Sequence, residues 1–255
     1  MEQQEFTQEV IDATEQTFIA REMPITKKVV KRRIGFFTGE EQHVITLEDG
    51  IEMTRNYRKS TPKGSPLGAY FGREIVEKIL DQNTCVGIRI YFAKENDGRS
   101  TLVLTGAQTN GDDLYQGILG QESRQSLNWN PSPNQLNSDS WKKSASARHS
   151  AKLFTGEENH YVTVAEASEL TRNYRETIEQ GDMKGAFFGA DIFRKILAQD
   201  GCVGIHIYHG MHNDGSRTFV LVGIDAYGYD LLGGTLGQLA FSCPPWCFVL
   251  GPLNK

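Results

Sequence analysis

The pentapeptide Thr54-Arg55-Asn56-Tyr57-Arg58 occurs a second time in this chain, as Thr171-Arg172-Asn173-Tyr174-Arg175. The two copies lie 117 residues apart. At that offset residues 37–121 align with residues 154–238 without a gap, and 43 of the 85 aligned positions are identical. An ungapped match of this extent indicates a duplicated unit. Comparing the two copies therefore guides the interpretation of the whole sequence.

A chain of 255 residues has room for two small domains, and the repeat favours two. Each unit of about 100 residues can bury a core without disulfides or metals. The formal net charge of −5 argues against nucleic-acid binding, which needs a basic face to displace counterions. The local exception is a basic run, which we interpret as a solvated segment or a partner-docking patch: Lys27, Lys28, Lys31, Arg32 and Arg33.

The compartment is predicted from the amino terminus and from hydropathy. Residues 1–5 are polar and acidic, unlike a signal peptide, and no apolar stretch is long enough to cross a bilayer. We therefore expect a cytoplasmic protein without membrane contact, in which the four cysteines are reduced thiols. Cys85 and Cys202 occupy the same place in the two copies, within apolar strand patterns, where a small buried side chain is expected.

Residues 1–35 have no counterpart in front of the second copy and form a predicted N-terminal helical arm. Apolar residues recur there near helical spacing and predict a helix over about residues 5–21: Phe6, Val10, Ile11, Phe18 and Ile19. Pro24 should close that region. The apolar face of such a helix has two candidate surfaces, the first repeat unit of its own chain and a neighbouring molecule.

Each copy opens with Phe-Thr-Gly-Glu-Glu, at residues 37–41 and 154–158. Thr46 with Asp49, and Thr163 with Glu166, then form capping-box signals that predict the start of a helix. The small and apolar residues behind them alternate steps of three and four, so they share one helix face. Thr54 and Tyr57 lie in that stripe and should point inward or along an interface.

A second helix is predicted near residues 72–82 and 189–199. The hydrophobic period then changes to two, and Asp97-Gly98 and Asp214-Gly215 predict tight turns. Each unit is therefore expected to be helix, helix and β-hairpin. Because a lone hairpin is marginal in water, the two hairpins should either join one sheet within the chain or pair with hairpins of other chains.

The predicted fold class is α+β, with two tandem homologous helix–helix–β-hairpin units behind the N-terminal arm. The predicted boundaries are residues 1–35 for the arm, 36–140 for the first unit with an extended C-terminal segment, 141–152 for a linker, and 153–255 for the second unit with a Pro-rich tail. The extended segment is included because Gln135-Leu136-Asn137 matches Pro252-Leu253-Asn254 at the repeat offset.

The pentapeptides carry the first candidate site. Arginine forks recognise carboxylates and phosphates, so an anionic ligand or an acidic partner segment could bind at these residues: Arg55, Asn56, Tyr57 and Arg58, with Arg172, Asn173, Tyr174 and Arg175 in the second copy. The alternative is structural, in which the same side chains tie helix to loop or subunit to subunit. Repetition in both copies suits a scaffold as well as two equal ligand sites, and we favour the structural interpretation because duplicated Arg, Asn and Tyr side chains on helices also serve such ties.

A zinc site is the second candidate and is confined to the second copy. Histidine and cysteine are the ligands that zinc prefers, and the candidate ligands are His209, His212, Cys243 and Cys247, with His206 nearby. Strand alternation places His206 and His209 on opposite faces, which argues against a shared metal. The segment from Cys243 to Cys247 could equally form a tight apolar turn or a disulfide.

The sequence carries no catalytic motif of the common hydrolase, nucleotide-binding or metalloprotease types. We therefore predict a non-enzymatic structural protein that self-assembles, since near-equivalent faces offer head-to-tail contacts that generate rings or filaments. The expected contacts are the arm, the hairpin edges and the terminal segments. The alternative prediction is a binding module for an anion, and a zinc-binding protein is the third.

Overall fold

The computed structural model describes residues 37–122, 133–139, 152–245, 247 and 251–254, together with two short strands, Gln16–Phe18 and Val30–Arg32. Within these residues it contains four α-helices and two five-stranded antiparallel sheets, so the predicted α+β class is confirmed. No helix of the described residues is long and apolar enough to span a membrane. We call residues 37–139 the first half and residues 152–254 the second half.

The helices and strands are numbered in chain order. The strands and helices are β1 Gln16–Phe18, β2 Val30–Arg32, β3 Val44–Ile45, α1 Leu47–Ser60, β4 Gly68–Gly72, α2 Arg73–Leu80, β5 Gly87–Lys94, β6 Ser100–Ala107, β7 Leu119–Gln121, α3 Val164–Arg175, β8 Gly185–Gly189, α4 Ala190–Leu197, β9 Cys202–Met211, β10 Arg217–Asp225, β11 Leu236–Gly237 and β12 Phe241–Cys243. A short 3₁₀ turn at Pro252–Asn254 follows them.

Both sheets contain strands from both halves of the chain. The first sheet has the order β3-β11-β10-β9-β4, so the hairpin of the second half lies between strands of the first half. The second sheet has the order β12-β8-β5-β6-β7, in which β8 of the second half pairs with β5 of the first. Residues of β4 pair with β9 in the same way, from Gly68 opposite Tyr208 to Gly72 opposite Gly204.

The hairpins therefore lie in separate sheets, and each is flanked on both sides by strands of the same chain. This differs from both predicted arrangements, a shared sheet and pairing with other molecules. The flanking strands β7 and β11 occupy part of the outer hairpin edges, at residues 103–105 of β6 and at Leu221 and Val222 of β10.

Among the described residues, the three largest hydrophobic clusters form layers on the faces of the two sheets. One cluster joins the facing sides of both sheets with α2 and α4, and it includes Phe71, Ile75, Ile90, Ile192 and Phe219. On the outer side of the first sheet a second cluster packs beneath α1, and on the outer side of the second sheet a third packs beneath α3. Alternate residues of one strand thus serve different layers, as the pleat requires.

The predicted helix over residues 5–21 is wrong at Gln16–Phe18, which form a strand paired with Val30–Arg32. Thr17 and Phe18 are residues that favour extended structure, and pairing with a second strand outweighs the weak helical spacing. The rest of the arm, and the linker apart from Lys152, lie outside the described residues.

Candidate functional site

The two pentapeptides lie on α1 and α3, the helices that cover the outer faces of the sheets. Both helices begin with a complete capping box, Thr46 with Asp49 and Thr163 with Glu166, as predicted. Thr54 and Tyr57 are buried, and so are their counterparts Thr171 and Tyr174. The arginines and asparagine of each motif therefore lie beside the buried stripe, at the rim of the helix–sheet contact.

Each asparagine holds the hairpin of the opposite half. Asn56 Nδ2 donates to Met211 O at 3.3 Å and to Asn213 Oδ1 at 2.9 Å, next to the turn that joins β9 to β10. Asn173 Nδ2 makes the same pair of bonds in the other half, to Lys94 O at 3.1 Å and Asn96 Oδ1 at 2.9 Å. Both motifs thus link a helix to the hairpin that it covers.

The last arginine of each motif holds a leucine that inserts into the core. Arg58 donates to Leu136 O and, at 2.6 Å, to Asp139 Oδ1. Arg175 Nη1 donates to Leu253 O at 2.6 Å. Both leucines are fully buried. The match between Gln135-Leu136-Asn137 and Pro252-Leu253-Asn254 in the sequence thus corresponds to two segments held in the same way.

The tyrosines of the motifs tie the helices to the following loops and join a row of aromatic rings. Tyr57 donates to Pro66 O at 3.1 Å and Tyr174 to Met183 O at 3.2 Å. Their rings lie 5.1 Å from His209 and 5.2 Å from Phe92, respectively, and His209 stacks on Phe92 at 5.5 Å. Burial raises the pKa of both tyrosine hydroxyls, which favours the neutral, hydrogen-bonding form.

The first arginine of each motif is the most exposed member. The Arg55 side chain is 47% exposed, with Asp139 3.7 Å away, and the Arg172 side chain is 57% exposed, with Glu176 3.8 Å away. Such surface ion pairs contribute little to stability. Six of the eight predicted ligand-binding side chains are therefore used inside the chain, and this supports the structural alternative for the motif.

The structure does not bring the candidate zinc ligands together. Cys243 and Cys247 form a disulfide, one of the alternatives weighed for this segment, so these two cysteines are not reduced thiols as expected. Among the described residues no group of three or more histidine, cysteine or carboxylate side chains is arranged to hold a metal. Because disulfides are rare in the cytosol, this bond gives the predicted compartment no support.

His209 is buried among aromatic rings, and its Nδ1 atom has no hydrogen-bond partner. Burial, reinforced by the charge of Arg217, lowers the pKa of His209 to about 3, so the imidazole is neutral. His212 lies next to the turn, with Nε2 3.3 Å from Gln238 Nε2. His209 and His212 thus lie in different surroundings and do not share a site.

His43 and His160, which were not singled out in the sequence, each form hydrogen bonds to backbone groups of the opposite half. His43 Nδ1 lies 3.1 Å from Gln238 O and 3.0 Å from Leu239 O, and its Nε2 accepts the Gly189 amide at 2.9 Å. Carbonyl oxygens only accept, so Nδ1 carries the proton. His160 repeats the arrangement, with Nδ1 2.9 Å from Gln121 O and Nε2 accepting from Gly72 N at 2.9 Å. Burial lowers the pKa of both rings.

The Phe-Thr-Gly-Glu-Glu segments contact the first residues of α2 and α4, the helices that follow Gly72 and Gly189. Gly39 O accepts from Asp191 N, and Gly156 O accepts from Glu74 N, both at 2.8 Å. A Cβ atom at Gly72 would lie 2.6 Å from Gly156 O, so the position excludes any side chain. The repeated histidine, two residues after each segment, was the signal in the sequence for this contact.

Buried polar networks lie on the outer faces of both sheets. Arg89 is fully buried and donates to Asp113, which also accepts from Tyr91 OH at 2.7 Å. Burial raises the pKa of Asp113, although the guanidinium of Arg89 opposes that shift. The corresponding place in the first sheet holds His206, Tyr208 and Asp230, with His206 Nδ1 3.1 Å from Asp230 Oδ1 and Tyr208 OH donating at 2.5 Å.

A cleft of about 590 Å³ lies beside β7, where Glu95, Glu122, Glu166 and Glu169 line the wall. Burial raises the pKa of Glu122 to about 7, against the charge of Arg99. Gln121 Nε2 donates to Glu95 Oε1 at 2.6 Å, so part of the wall is held by internal bonds. The cleft is polar, and its carboxylates would repel an anionic ligand.

The described residues thus define an α+β protein of two exchanged halves in which much of the repeated polar chemistry serves internal contacts. No protein-family model, curated protein or solved structure matches the chain.

Proposed function

We propose that the chain is a non-enzymatic structural protein that self-assembles, built from two homologous halves that exchange strands. Residues at the repeat offset have corresponding contacts: Asn56 and Asn173 hold hairpin residues, while His43 and His160 accept from a glycine amide of the opposite half. These paired contacts support one rigid body with two similar outer surfaces. Similar surfaces on one body are suited to repeated association.

The observation that carries the proposal is the exposed apolar surface beside the short edge strand β3. Val44 is 46% exposed and Leu239 is 53% exposed. They are neighbours, because Val44 pairs with Gly237 and the preceding residue, His43, lies against Leu239 O. In the first sheet β3 has a strand partner on one side only, and an edge strand with apolar side chains is a template for pairing with another chain.

The second sheet offers a related edge. Tyr161 is 51% exposed and forms a bridge to Gly120 in β7, at the place that corresponds to Val44 beside Gly237. The side chain that corresponds to Leu239 is Glu122, so this edge is more polar than the first. Two similar but unequal edges favour a head-to-tail contact, which propagates into a ring or a filament.

The roles of the polar side chains also support a non-enzymatic protein. Arg89 with Asp113, and His206 with Asp230, are buried pairs, so a substrate would have to displace core residues to reach them. We therefore assign these pairs to stability and to the fixed position of the sheets.

The experiment is light scattering combined with negative-stain imaging of the purified chain over a range of concentrations. We expect assemblies larger than a monomer, which a double change Val44→Lys and Leu239→Lys reduces to monomers. Tyr227→Lys is the matched control, since Tyr227 is exposed but belongs to the turn after β10 and not to β3. A chain lacking residues 1–35 tests the contribution of the arm. A monodisperse monomer at every concentration of the full chain would overturn the proposal.

A further inference from the structure

A cavity of about 450 Å³ lies between the loop after α3 and the turn before β10. Its lining includes Arg217, Tyr174, Met183, Asp182 and Ser242. Arg217 is exposed, and no carboxylate of the described residues lies within 4.0 Å of its nitrogen atoms. The cavity therefore presents a guanidinium whose charge is not neutralised by a direct ion pair.

The first half shows how such a charge is otherwise neutralised. Arg99, at the corresponding turn, has Glu95 at 2.9 Å and Glu122 at 3.8 Å. The residues that correspond to these two glutamates in the second half are His212 and Leu239. The second half thus keeps an arginine at the turn, one residue further along, but lacks both acidic partners.

The surroundings of Arg217 are aromatic and partly apolar. Its guanidinium lies 5.8 Å from the centre of the Phe92 ring, and its charge acts on the hydroxyls of both Tyr57 and Tyr174. Ile178, Met183 and Pro244 supply apolar wall. A guanidinium in such a place is weakly hydrated, and the nitrogen atoms that do not contact the Tyr174 hydroxyl can bind a planar anion.

We propose that this cavity binds an organic carboxylate with an apolar body, held by a bidentate contact to Arg217. The Ser242 hydroxyl supplies a further donor in the wall, and the apolar side chains receive the body of the ligand. Asp182 also lines the cavity and repels anions, so it disfavours a doubly charged anion such as phosphate more strongly than a singly charged carboxylate. The site goes beyond assembly, because none of the residues that line it belongs to β3 and neither Val44 nor Leu239 is among them.

The test is isothermal titration of the full chain with hexanoate, hexylamine and inorganic phosphate. Hexanoate should bind, whereas hexylamine, which has the same tail and the opposite charge, should not. Arg217→Ser installs the residue type found at the corresponding position, Ser100, and should weaken hexanoate binding at least tenfold, the range for a charged hydrogen-bonding group. Arg217→Lys keeps the charge but not the fork and should bind with intermediate affinity.

Arg99→Ser is the matched control, since it removes an arginine at the equivalent turn and should leave hexanoate binding unchanged. Circular dichroism of each variant verifies that the fold is intact. Absence of hexanoate binding to the full chain, equal binding by Arg217→Ser, or binding of phosphate as tightly as hexanoate would each overturn the proposal. Loss of assembly in the Val44 and Leu239 variant with hexanoate binding retained would separate the two functions.

Discussion

His209 is a buried imidazole whose Nδ1 atom has no hydrogen-bond partner. Protonating this ring in the folded protein would place an unpaired charge in the core and destabilise the fold. The ring is stacked on Phe92, and the residue that corresponds to it in the first half is Phe92 itself. Its pKa of about 3 lies far below the ordinary value of 6.5. Below pH 6.5 His209 therefore binds a proton in the unfolded chain but stays neutral in the folded chain. As a result, the free energy of unfolding falls as the pH drops.

We predict that His209→Phe flattens the dependence of stability on pH. In the native sequence, His209 should lower the free energy of unfolding by about 2 kcal/mol at pH 5 relative to pH 7.5. Each pH unit below 6.5 contributes about 1.4 kcal/mol to this loss. The variant should be at least as stable as the native chain at pH 7.5, because phenylalanine leaves no polar atom unpaired. Urea unfolding between pH 5 and 8 measures both quantities.

His212→Asn is the control for this comparison, because it replaces a histidine that lies next to the turn, with Nε2 3.3 Å from Gln238 Nε2. His43 and His160, whose pKa values are also lowered by burial, add to the loss in both proteins and cancel in the difference. Glu122 acts in the opposite direction between pH 4.5 and 7, because its pKa is raised to about 7, and it cancels likewise. An unchanged slope in His209→Phe would contradict the prediction.

The sequence alone could not identify this role for His209. Its type and spacing suggested a zinc ligand, whereas its surroundings depend on α1 and β5, which are distant in the chain. The one available signal was the phenylalanine at the matching position, which indicates an apolar environment. The role of Arg89 could not be predicted either, because a charged residue within a strand does not indicate that it pairs with Asp113 in the folded protein.

At the scale of elements, the helices and hairpins could be predicted because their signals are local. Both capping boxes, the second helices and the Asp-Gly turns lie where the sequence places them. The strands β4 and β8 were missed, since Gly-Ala-Tyr-Phe-Gly and Gly-Ala-Phe-Phe-Gly begin and end with glycine and resemble loops. Their partners lie in the opposite half, and no local pattern specifies that pairing.

We predict that Asn56→Ala and Asn173→Ala each lower the free energy of unfolding by about 1–2 kcal/mol, because each change removes two hydrogen bonds to a hairpin. The double variant should show the sum, since the two sites share no bonded partner. Chemical denaturation at pH 7.5 measures these differences.

Arg55→Ala and Arg172→Ala are the matched controls within the same motifs, and they should change stability by less than about 0.5 kcal/mol. If the motifs served a ligand instead of the fold, all four variants would be as stable as the native chain and would differ only in binding. That result would reverse the assignment made here.

For the whole molecule, the internal sequence repeat was visible in the sequence, but the pairing of strands between the halves was not. A repeat reveals that two stretches share a pattern, and it carries no information about which copy completes which sheet. The boundaries drawn at 36–140 and 153–255 mark sequence units, whereas each sheet takes strands from both sides of the linker. The core between the sheets accordingly contains Phe92 and Phe219 in direct contact, with ring centres 4.5 Å apart.

We predict that calorimetry shows a single unfolding transition, because neither half can lose its strands without breaking a sheet of the other. Phe219→Ala should destabilise the protein by about 3–5 kcal/mol and move the whole transition to lower temperature. Equal calorimetric and van't Hoff enthalpies would confirm one cooperative unit. Two resolved peaks, with only one of them shifted by Phe219→Ala, would contradict it.

The exchanged strands β4 and β8 also make the covalent connection between residues 140 and 152 less important than it looks in the sequence. Cleavage of the chain there by a protease would yield two peptides. Each peptide would still contribute a five-residue strand, β4 or β8, that is hydrogen-bonded to a strand of the other peptide. Such peptides should copurify under native conditions and separate only in denaturant. The linker ensures that the two halves are made in equal numbers, and the strand pairing in the sheets holds them together.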